Sequence, residues 1–390
     1  MIKKSNSDNK TMIFFWPSSE FNDVHWKKDP GAIPLGFAKL GYRVIIIVGK
    51  MKAIKKDHIN IVELNDLFKC ANFKILNLFR YYIFSVKTSI KSVRIFIKND
   101  PQIIVGEGLN PTIILPIFTY KFMTIYKKRS KKRKLLIKLD IDPNYIKYVN
   151  NKKNHHWFFM HLKLIISSLI FDRIIVESKC AYDELSKSNL SKIYIKKLIV
   201  IPDGYINDDI RINKNKKRKK IILSVGRINV QKGFEFLIKS FEIVHKTYSD
   251  WKLRIVGPIE DREYYGQLEK LVNSLNLKNS VKLVGGLSEK NLEKEFYNAS
   301  FFCLLSRFEG FSIVRSEAIA HELPIVTSEA GCGVYYKKYG SIVVPVGDVS
   351  KSAKAILKLI KNKRLRERIS KTQLKSILTW DEVAKRIDDI

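Results

Sequence analysis

Short apolar runs alternate along this chain with longer segments in which apolar residues recur every three or four positions. Apolar runs bounded by turn residues indicate buried strands, and the three-to-four spacing indicates helices with one packed face. The runs predicted as strands span residues 11–16, 42–48, 59–64, 102–105, 135–139, 173–178, 198–201, 221–225, 251–256, 281–284, 301–305, 324–327 and 341–344. Because predicted strands and helices alternate over the whole chain, we expect an α/β protein.

A polar, basic stretch divides this alternation into two halves. Residues 207–220 are nearly free of apolar side chains, which is typical of a linker between domains. The chain has 390 residues, more than a single core ordinarily supports. We therefore expect two Rossmann-like domains, residues 1–207 and 208–364, followed by a terminal helix over residues 365–390.

The strand predicted over residues 301–305 leads through a glycine turn into a helix. Gly310 lies in the turn, and Ser312 precedes the apolar helical residues at the position of an N-cap. This arrangement directs free backbone N–H groups and the positive end of a helix dipole to one point, where a phosphate binds well. Glu309 and Glu317 lie beside that point and are able to accept hydrogen bonds from sugar hydroxyls. A sugar-nucleotide pocket is therefore predicted here; the alternative is a surface helix with solvated glutamates. Its candidate residues are Glu309, Gly310, Phe311, Ser312, Ile313 and Glu317.

A second turn of the same kind follows the strand predicted over residues 221–225. It carries Arg227 and Lys232 in the pattern Gly-Arg-x4-Lys-Gly, ahead of an amphipathic helix. Arg227 offers a planar fork for an oxyanion, and Lys232 offers a mobile point charge. We predict that both bind a diphosphate, although solvated basic residues are common in a chain this rich in lysine.

These two motifs, Glu-x7-Glu within Glu-Gly-Phe-Ser and Gly-Arg-x4-Lys-Gly, resemble those of the family-four retaining glycosyltransferases of the GT-B fold. The resemblance implies two Rossmann-like domains facing across a cleft, with the donor bound mainly by the second domain and the acceptor by the first. It implies a hexosyltransferase-type enzyme that transfers a sugar from a UDP- or GDP-linked donor, with retention, to a glycan or lipid-linked acceptor. It also implies that the terminal helix crosses back to the first domain.

The resemblance extends to further site residues. Gly286 and Leu287 follow a strand whose turn approaches the nucleotide base in the family, and Gly31 best matches a donor-approaching glycine loop. The predicted catalytic residues are Glu309, Arg227 and Lys232, with Glu309 on the transferred sugar and Glu317 on the ribose. At a strand end where the family often has an acceptor-side His, this chain has Asp140 and Asp142.

No metal and no cofactor are expected for this reaction. Asp140 and Asp142 form an Asp-x-Asp pattern, which binds metal in another glycosyltransferase fold. A divalent site needs converging carboxylates together with substrate phosphates, and the predicted phosphate site lies in the other domain. Arg227, Lys232 and the helix amino end would instead offset the charge that grows on the leaving diphosphate.

The net charge of +34 favours anionic partners, although a lysine-rich composition alone would also produce it. The apolar helix predicted over Thr112–Tyr126 runs into the basic run Lys127–Lys134. That run has no aromatic residues of the kind a single-stranded nucleic-acid site uses, so nucleic acid is not expected. Contact with an anionic membrane surface remains a hypothesis, with a solvated loop as its alternative.

The four cysteines, Cys70, Cys180, Cys303 and Cys332, have no metal-ligand spacing and are interpreted as reduced thiols. We recognise neither a signal segment nor an apolar run long enough to span a bilayer. These observations predict a cytoplasmic protein, either free or peripheral on the inner face of the membrane. Two other functions remain open: a GT-B sugar-nucleotide epimerase, and a non-catalytic basic protein that binds membranes.

Overall fold

The computed structural model describes residues 10–64, 75–126, 133–152, 155–205 and 218–390. The chain divides into two compact units. Unit 1 comprises Met1–Ile141, Tyr145–Gly204 and Thr379–Ile390, and unit 2 comprises Asp142–Asn144 and Tyr205–Leu378. Cys70, most of the basic run and most of the predicted linker lie outside the described residues.

Unit 1 is built on a seven-stranded parallel sheet. Its strands are β1 (Thr11–Phe21), β2 (Arg43–Met51), β3 (Ile59–Glu63), β4 (Ile103–Glu107), β5 (Lys134–Leu139), β6 (Arg173–Val176) and β7 (Leu198–Val200). Its helices are α1 (Asp29–Lys39), α2 (Ile75–Asn99), α3 (Pro111–Tyr126), α4 (Pro143–Lys152), α5 (His155–Ile170), α6 (Lys179–Ser186) and α7 (Ser191–Tyr194). The strand order is β3-β2-β1-β4-β5-β6-β7, so the order reverses between β1 and β4. In doubly wound sheets that reversal is where ligands bind, at the carboxyl ends of the strands.

The first strand is longer than the sequence predicts. We expected it to end at Trp16, but β1 continues through Pro17 to Phe21. Its pairing with β2 is irregular between Trp16 and Glu20, and regular pairing resumes with Glu20 beside Lys50. Such an irregularity accommodates a proline, which has no N–H to donate to a ladder.

Unit 2 is built on a six-stranded parallel sheet. Its strands are β9 (Ile221–Val225), β10 (Lys252–Val256), β11 (Val281–Gly285), β12 (Phe301–Leu304), β13 (Ile325–Ser328) and β14 (Ile342–Val344), after a short β8 (Gly204–Tyr205). Its helices are α8 (Phe234–His245), α9 (Arg262–Ser274), α10 (Glu289–Asn298), α11 (Ile313–Ala320), α12 (Val349–Lys361) and α13 (Lys363–Gln373). The strand order is β11-β10-β9-β12-β13-β14. All four residues of β12 are fully buried, as expected for a central parallel strand.

The predicted single helix over residues 365–390 is wrong. α13 ends at Gln373, and a turn of 3₁₀ helix and the short strand β15 (Leu378–Thr379) separate it from α14 (Trp380–Asp388). Thr379 caps α14, because its side chain accepts from Glu382 N–H while the Glu382 carboxylate accepts from Thr379 N–H. α14 belongs to unit 1 and packs against α1.

Among the described residues, no helix is both long enough and apolar enough to cross a bilayer.

Candidate functional site

The turn after β9 holds the two predicted diphosphate cations. It contains a 3₁₀ helix, Val230–Lys232, and ends at Gly233, whose φ of +60° lies in the left-handed region. A Cβ at Gly233 would lie 2.6 Å from the Leu305 carbonyl oxygen, so only glycine fits there. The aliphatic stem of Lys232 passes over Gly226, where a Cβ would lie 3.3 Å from it. The two glycines therefore direct Lys232 toward the end of β12.

Lys232 and Glu309, predicted separately from two motifs, form a buried ion pair. The Lys232 Nζ lies 2.6 Å from Glu309 Oε1, and both side chains are almost fully buried. Ser306 donates its hydroxyl to the same carboxylate oxygen, at 2.8 Å. Removing either partner of a buried pair leaves an uncompensated charge, typically at a cost of about 3–5 kcal/mol. The pair thus fixes the glycine turn of β9 to the turn that follows β12.

Arg227 has a different environment. Its side chain is 56% exposed, and its guanidinium Nη1 lies 2.6 Å from Glu260 Oε1. The Asn229 side-chain amide donates to the other oxygen of Glu260. Sequence reasoning missed Glu260, because it lies in a polar loop after β10 with no motif of its own. The carboxylate of Glu260 orients Arg227 while leaving much of the guanidinium accessible.

The amino end of α11 differs from the expected capped helix. Ser312 occupies the N-cap position, but its side chain makes no capping hydrogen bond, and its Oγ is buried without a partner. A capping side chain requires an extended backbone, whereas Ser312 has φ +61°. The expectation that Ser312 caps the helix is therefore wrong. Glu317 is half-buried, four residues after Ile313 on the same side of α11.

A third segment supports the Glu309 turn. Gly331 begins the 3₁₀ helix Gly331–Tyr339, and its α-carbon lies so close to the Glu309 carbonyl oxygen that a side chain would overlap with it. Gly310, between Glu309 and the buried Phe311, is also within reach of this glycine. The position of Glu309 is thus set by three segments of unit 2.

The remaining predicted donor residues lie elsewhere. Gly286 is exposed and Leu287 is half-buried, directly after β11. Gly31 lies in α1 of unit 1, where a Cβ would lie 2.5 Å from the His25 carbonyl oxygen and 2.6 Å from Trp26 Cα. Close packing of α1 on the preceding 3₁₀ turn is therefore sufficient reason for a glycine at position 31.

A buried charge cluster lies at the carboxyl edge of the unit 1 sheet. Lys138, at the end of β5, is fully buried, with its Nζ 2.8 Å from Glu177 Oε1 and 2.9 Å from Asp203 Oδ1. Its Nζ also contacts the carboxylate of Asp29, at the start of α1. The oxygens of these three carboxylates lie within 4.8 Å of one another, close enough to hold a cation. In this structure the Lys138 ammonium lies among them.

The pKa values in this cluster are shifted strongly. Burial, followed by the negative charge of Asp29, raises the pKa of Glu107 to about 8. The same two causes raise the pKa of Asp203 to about 7. The pKa of Lys138 is raised despite its burial, because the charges of Asp203, Asp29 and Glu177 outweigh the loss of hydration. Glu107 also has a buried oxygen, Oε2, without a hydrogen-bond partner.

Sequence reasoning did not predict this cluster as a site. Its signal was present: acidic residues directly follow the ends of several strands, and a lysine interrupts an apolar strand. The residues chosen instead, Asp140 and Asp142, lie nearby in sequence. Asp140 is exposed, and Asp142 accepts hydrogen bonds from the backbone and side-chain amides of Asn144, at 2.8 and 3.1 Å. Asp142 therefore has a local role in the turn that begins α4.

The end of the basic run is engaged within unit 1. Arg133 lies 2.6 Å from an Asp100 carboxylate oxygen, and Lys134 donates to the Asp388 carbonyl. Residues 127–132 of the run lie outside the described residues. Arg133 and Lys134, at the end of the basic run, thus contribute to the packing of unit 1.

Comparisons with known proteins connect these features to a family. Residues 206–376 match the model of the family described as glycosyl transferases group 1. An uncharacterized glycosyltransferase of Haemophilus influenzae is 37% identical over 131 residues, which are 33% of this chain and 36% of that protein. An uncharacterized glycosyltransferase of Methanocaldococcus jannaschii is 25% identical over 362 residues, 88% of this chain and 74% of that protein.

The fold likeness extends further than the family match. The structure of HepE from Anabaena, solved in complex with UDP and glucose, gives a TM-score of 0.66 at 14% identity, over 97% of this chain and 98% of that chain. At this identity the likeness concerns the fold. The chain therefore has the GT-B fold of two Rossmann-like domains. Its residues 206–376 are similar to the glycosyl transferases group 1 family.

Proposed function

We propose that this chain is a glycosyltransferase that moves a hexose from a UDP- or GDP-linked donor to a glycan or lipid-linked acceptor. The observation that carries the proposal is the buried Lys232–Glu309 pair at the carboxyl edge of the unit 2 sheet. Ligands of doubly wound sheets bind at that edge. The pair also lies within the segment that matches the glycosyl transferases group 1 model.

The predicted donor residues of unit 2 have the following roles in this proposal. Arg227 and Lys232 bind the diphosphate, and backbone N–H groups at the amino end of α11 assist them. Glu309 accepts hydrogen bonds from hydroxyls of the transferred sugar, and Glu317 accepts them from the ribose. Gly286 and Leu287 meet the base through their backbone.

The reaction breaks the bond between the anomeric carbon and the diphosphate oxygen and forms one to an acceptor hydroxyl oxygen. Negative charge then grows on the leaving diphosphate, where Arg227 and Lys232 offset it without a metal ion. Glu309 holds Lys232 in place before the donor arrives, so little reorganisation is needed as the charge develops. We further propose retention at the anomeric carbon, as the motifs imply, and a role in the synthesis of cell-surface polysaccharide or glycolipid.

The test is calorimetric titration with UDP, GDP and their hexose conjugates, followed by turnover assays. Arg227→Met and Lys232→Met should lower turnover by about 10²–10³-fold, the usual effect of losing one such electrostatic contact. Lys239→Met, an exposed lysine on α8, is the matched control and should leave binding and turnover unchanged. Arg227 is exposed, so its variant should fold even if Lys232→Met does not. Wild-type turnover in Arg227→Met, or no nucleotide binding by the unchanged protein, would refute the proposal.

Metal independence requires a separate assay. Turnover should persist in excess EDTA, because the proposed diphosphate ligands are cationic side chains. Complete loss in EDTA, with recovery on addition of Mg²⁺ or Mn²⁺, would overturn this part of the proposal.

One observation favours an epimerase as a second candidate. Epimerisation by proton transfer needs acid–base carboxyl groups, and Glu107 has a pKa near 8 at the carboxyl edge of unit 1. Incubation of the protein with nucleotide sugars in D₂O, without acceptor, distinguishes the two reactions. Deuterium at a sugar ring carbon, seen by proton NMR, would favour the epimerase, and its absence together with glycosyl transfer would exclude it.

A further inference from the structure

Three neighbouring helices of unit 1 expose an unusual amount of apolar surface. α2 packs against α3, and α3 packs against α5. Exposed apolar side chains on this surface include Tyr82 and Val86 on α2, Phe122 and Ile125 on α3, and Phe159 and Leu169 on α5. We call this the α2–α3–α5 surface. Ile125 is 68% exposed and Leu169 is 72% exposed, so their neighbours leave most of each side chain uncovered.

The exposed residues of α3 form a regular stripe. Phe118, Phe122 and Ile125 are spaced by four and three positions and therefore lie on one side of the helix. The opposite side carries Ile113 and Ile117, which are fully buried against the sheet. A helix that is apolar all round normally lies in a nonpolar environment on both sides. An apolar surface spread over three helices marks an interaction site.

The charges on the same helices have a single sign. Together α2, α3 and α5 carry seven Lys or Arg residues and not one Asp or Glu. The whole chain has 72 Lys and Arg against 38 Asp and Glu, so acidic residues are depleted from these helices in particular. A second copy of the chain docked here would face the same positive charge, which disfavours self-association. An anionic surface with an apolar interior is complementary both to the exposed apolar side chains and to the positive charge of these helices.

One lysine of the α2–α3–α5 surface holds two of the helices together. Lys121 of α3 donates to the Ile170 carbonyl at 2.6 Å and to the Leu169 carbonyl at 3.2 Å, at the end of α5. Phe122 and Leu169 are thus presented by a fixed pair of helices.

We propose that the α2–α3–α5 surface binds the interfacial region of an anionic lipid bilayer. The exposed aromatic and aliphatic side chains enter the boundary between headgroups and acyl chains, while lysine and arginine side chains contact anionic headgroups. The helices lie on the bilayer, because none of the described ones is fit to cross it. The inference rests on the proposed function in one respect, since it selects a lipid-linked acceptor over a free glycan.

The experiment is co-sedimentation of the full chain with vesicles of phosphatidylcholine alone or mixed with phosphatidylglycerol. The unchanged protein should bind the mixed vesicles, and binding should weaken with salt as the Debye length falls from about 10 Å at 0.1 M to about 3 Å at 1 M. Ile125→Ser, and Ile125→Ser combined with Phe122→Ser, should reduce the partition coefficient by about tenfold or more, since burial of one large apolar side chain contributes about 1.5–3 kcal/mol.

Ile54→Ser is the matched control. Ile54 is also in unit 1, is 76% exposed and lies outside the α2–α3–α5 surface, so its substitution should leave vesicle binding unchanged. An equal loss of vesicle binding in the Ile54 and Ile125 variants, or no vesicle binding by the unchanged protein, would overturn the proposal. So would self-association of the unchanged protein that Ile125→Ser abolishes without any vesicle binding. Vesicle binding is measured without nucleotide sugar, so its failure is distinct from failure of the proposed glycosyl transfer.

Discussion

The Lys138 ammonium is surrounded by three buried carboxylates. Replacing Lys138 should therefore destabilise unit 1 strongly. Lys138→Met keeps most of the side-chain volume but leaves Asp29, Glu177 and Asp203 close together without a positive charge. We expect the free energy of unfolding of unit 1 to fall by about 3–5 kcal/mol. Denaturant unfolding at neutral pH measures it. Lys52→Met is the control, because the Lys52 ammonium lies 2.9 Å from Glu20 at the exposed surface. This substitution should lower the free energy of unfolding by less than about 1 kcal/mol. Similar losses in the two variants would contradict the prediction.

Glu107 predicts how the stability of unit 1 depends on pH. Its pKa is raised from the ordinary value of 4.5 to about 8, mainly by burial. The folded protein therefore keeps a proton that the unfolded chain releases above about pH 4.5, so the free energy of unfolding should fall as the pH rises from about 5 to about 8. The pKa of Asp203, raised to about 7, acts in the same direction.

The Glu107→Gln variant isolates this effect, because it replaces the carboxyl group by a neutral amide of similar shape. Melting temperatures of both proteins across that pH range provide the measurement. The melting temperature of the unchanged protein, relative to that of Glu107→Gln, should decline with increasing pH. A difference that does not vary with pH would show that Glu107 titrates normally.

At the scale of elements, the 3₁₀ helix Gly331–Tyr339 offers a matched pair of glycines. Gly331 and the adjoining Gly340 have φ values of +56° and +92°, so alanine is strained at either position by about 1 kcal/mol or more. At Gly340 a Cβ would meet only Ile369, at 3.9 Å, whereas at Gly331 it would overlap with the Glu309 carbonyl. Gly331→Ala should therefore destabilise unit 2 more than Gly340→Ala does, and it alone should weaken nucleotide binding. Thermal melting and calorimetry measure the two effects, and indistinguishable variants would argue against this role of Gly331.

Hydrophobic pattern predicted most elements because parallel strands buried on both faces are continuous apolar runs. The strand predicted over residues 221–225, for example, is β9, Ile221–Val225. The hydrophobic pattern gave the wrong end for β1, because polar and proline residues continue that strand. It also predicted one helix over residues 365–390, because the helical spacing of apolar residues continues through two separate helices. Of the site, the two motifs were found, but their Lys232–Glu309 pairing was not. The Lys138 cluster was missed because sheet order, which sequence does not display, brings its members together.

At the scale of the whole molecule, α14 completes unit 1 from a distant part of the sequence. Ala384 is fully buried, and its Cβ lies 2.5 Å from where a Cβ of Gly36 in α1 would be. Ala384→Leu should overpack this contact and destabilise unit 1 by about 1–3 kcal/mol. Lys385→Leu, at the exposed neighbouring position, should have little effect. Hydrogen exchange should be faster in α1 and β2 of the Ala384 variant and unchanged in β9 and β12; uniform change in both units would contradict this assignment.

The return of α14 to unit 1 also has a consequence for synthesis of the chain. Unit 1 lacks α14 until residues 205–378 have been translated, which takes roughly 9 to 35 seconds at about 5–20 residues per second. During this interval the side of α1 that contains Gly36 stays uncovered and is a potential substrate for chaperones. Ribosome-bound chains arrested after residue 378 should therefore be cleaved by protease within α1, unlike released full-length chains. All six strands of the unit 2 sheet, in contrast, lie between residues 221 and 344. We therefore expect unit 2 to complete its fold before unit 1 does, although most of unit 1 is translated earlier.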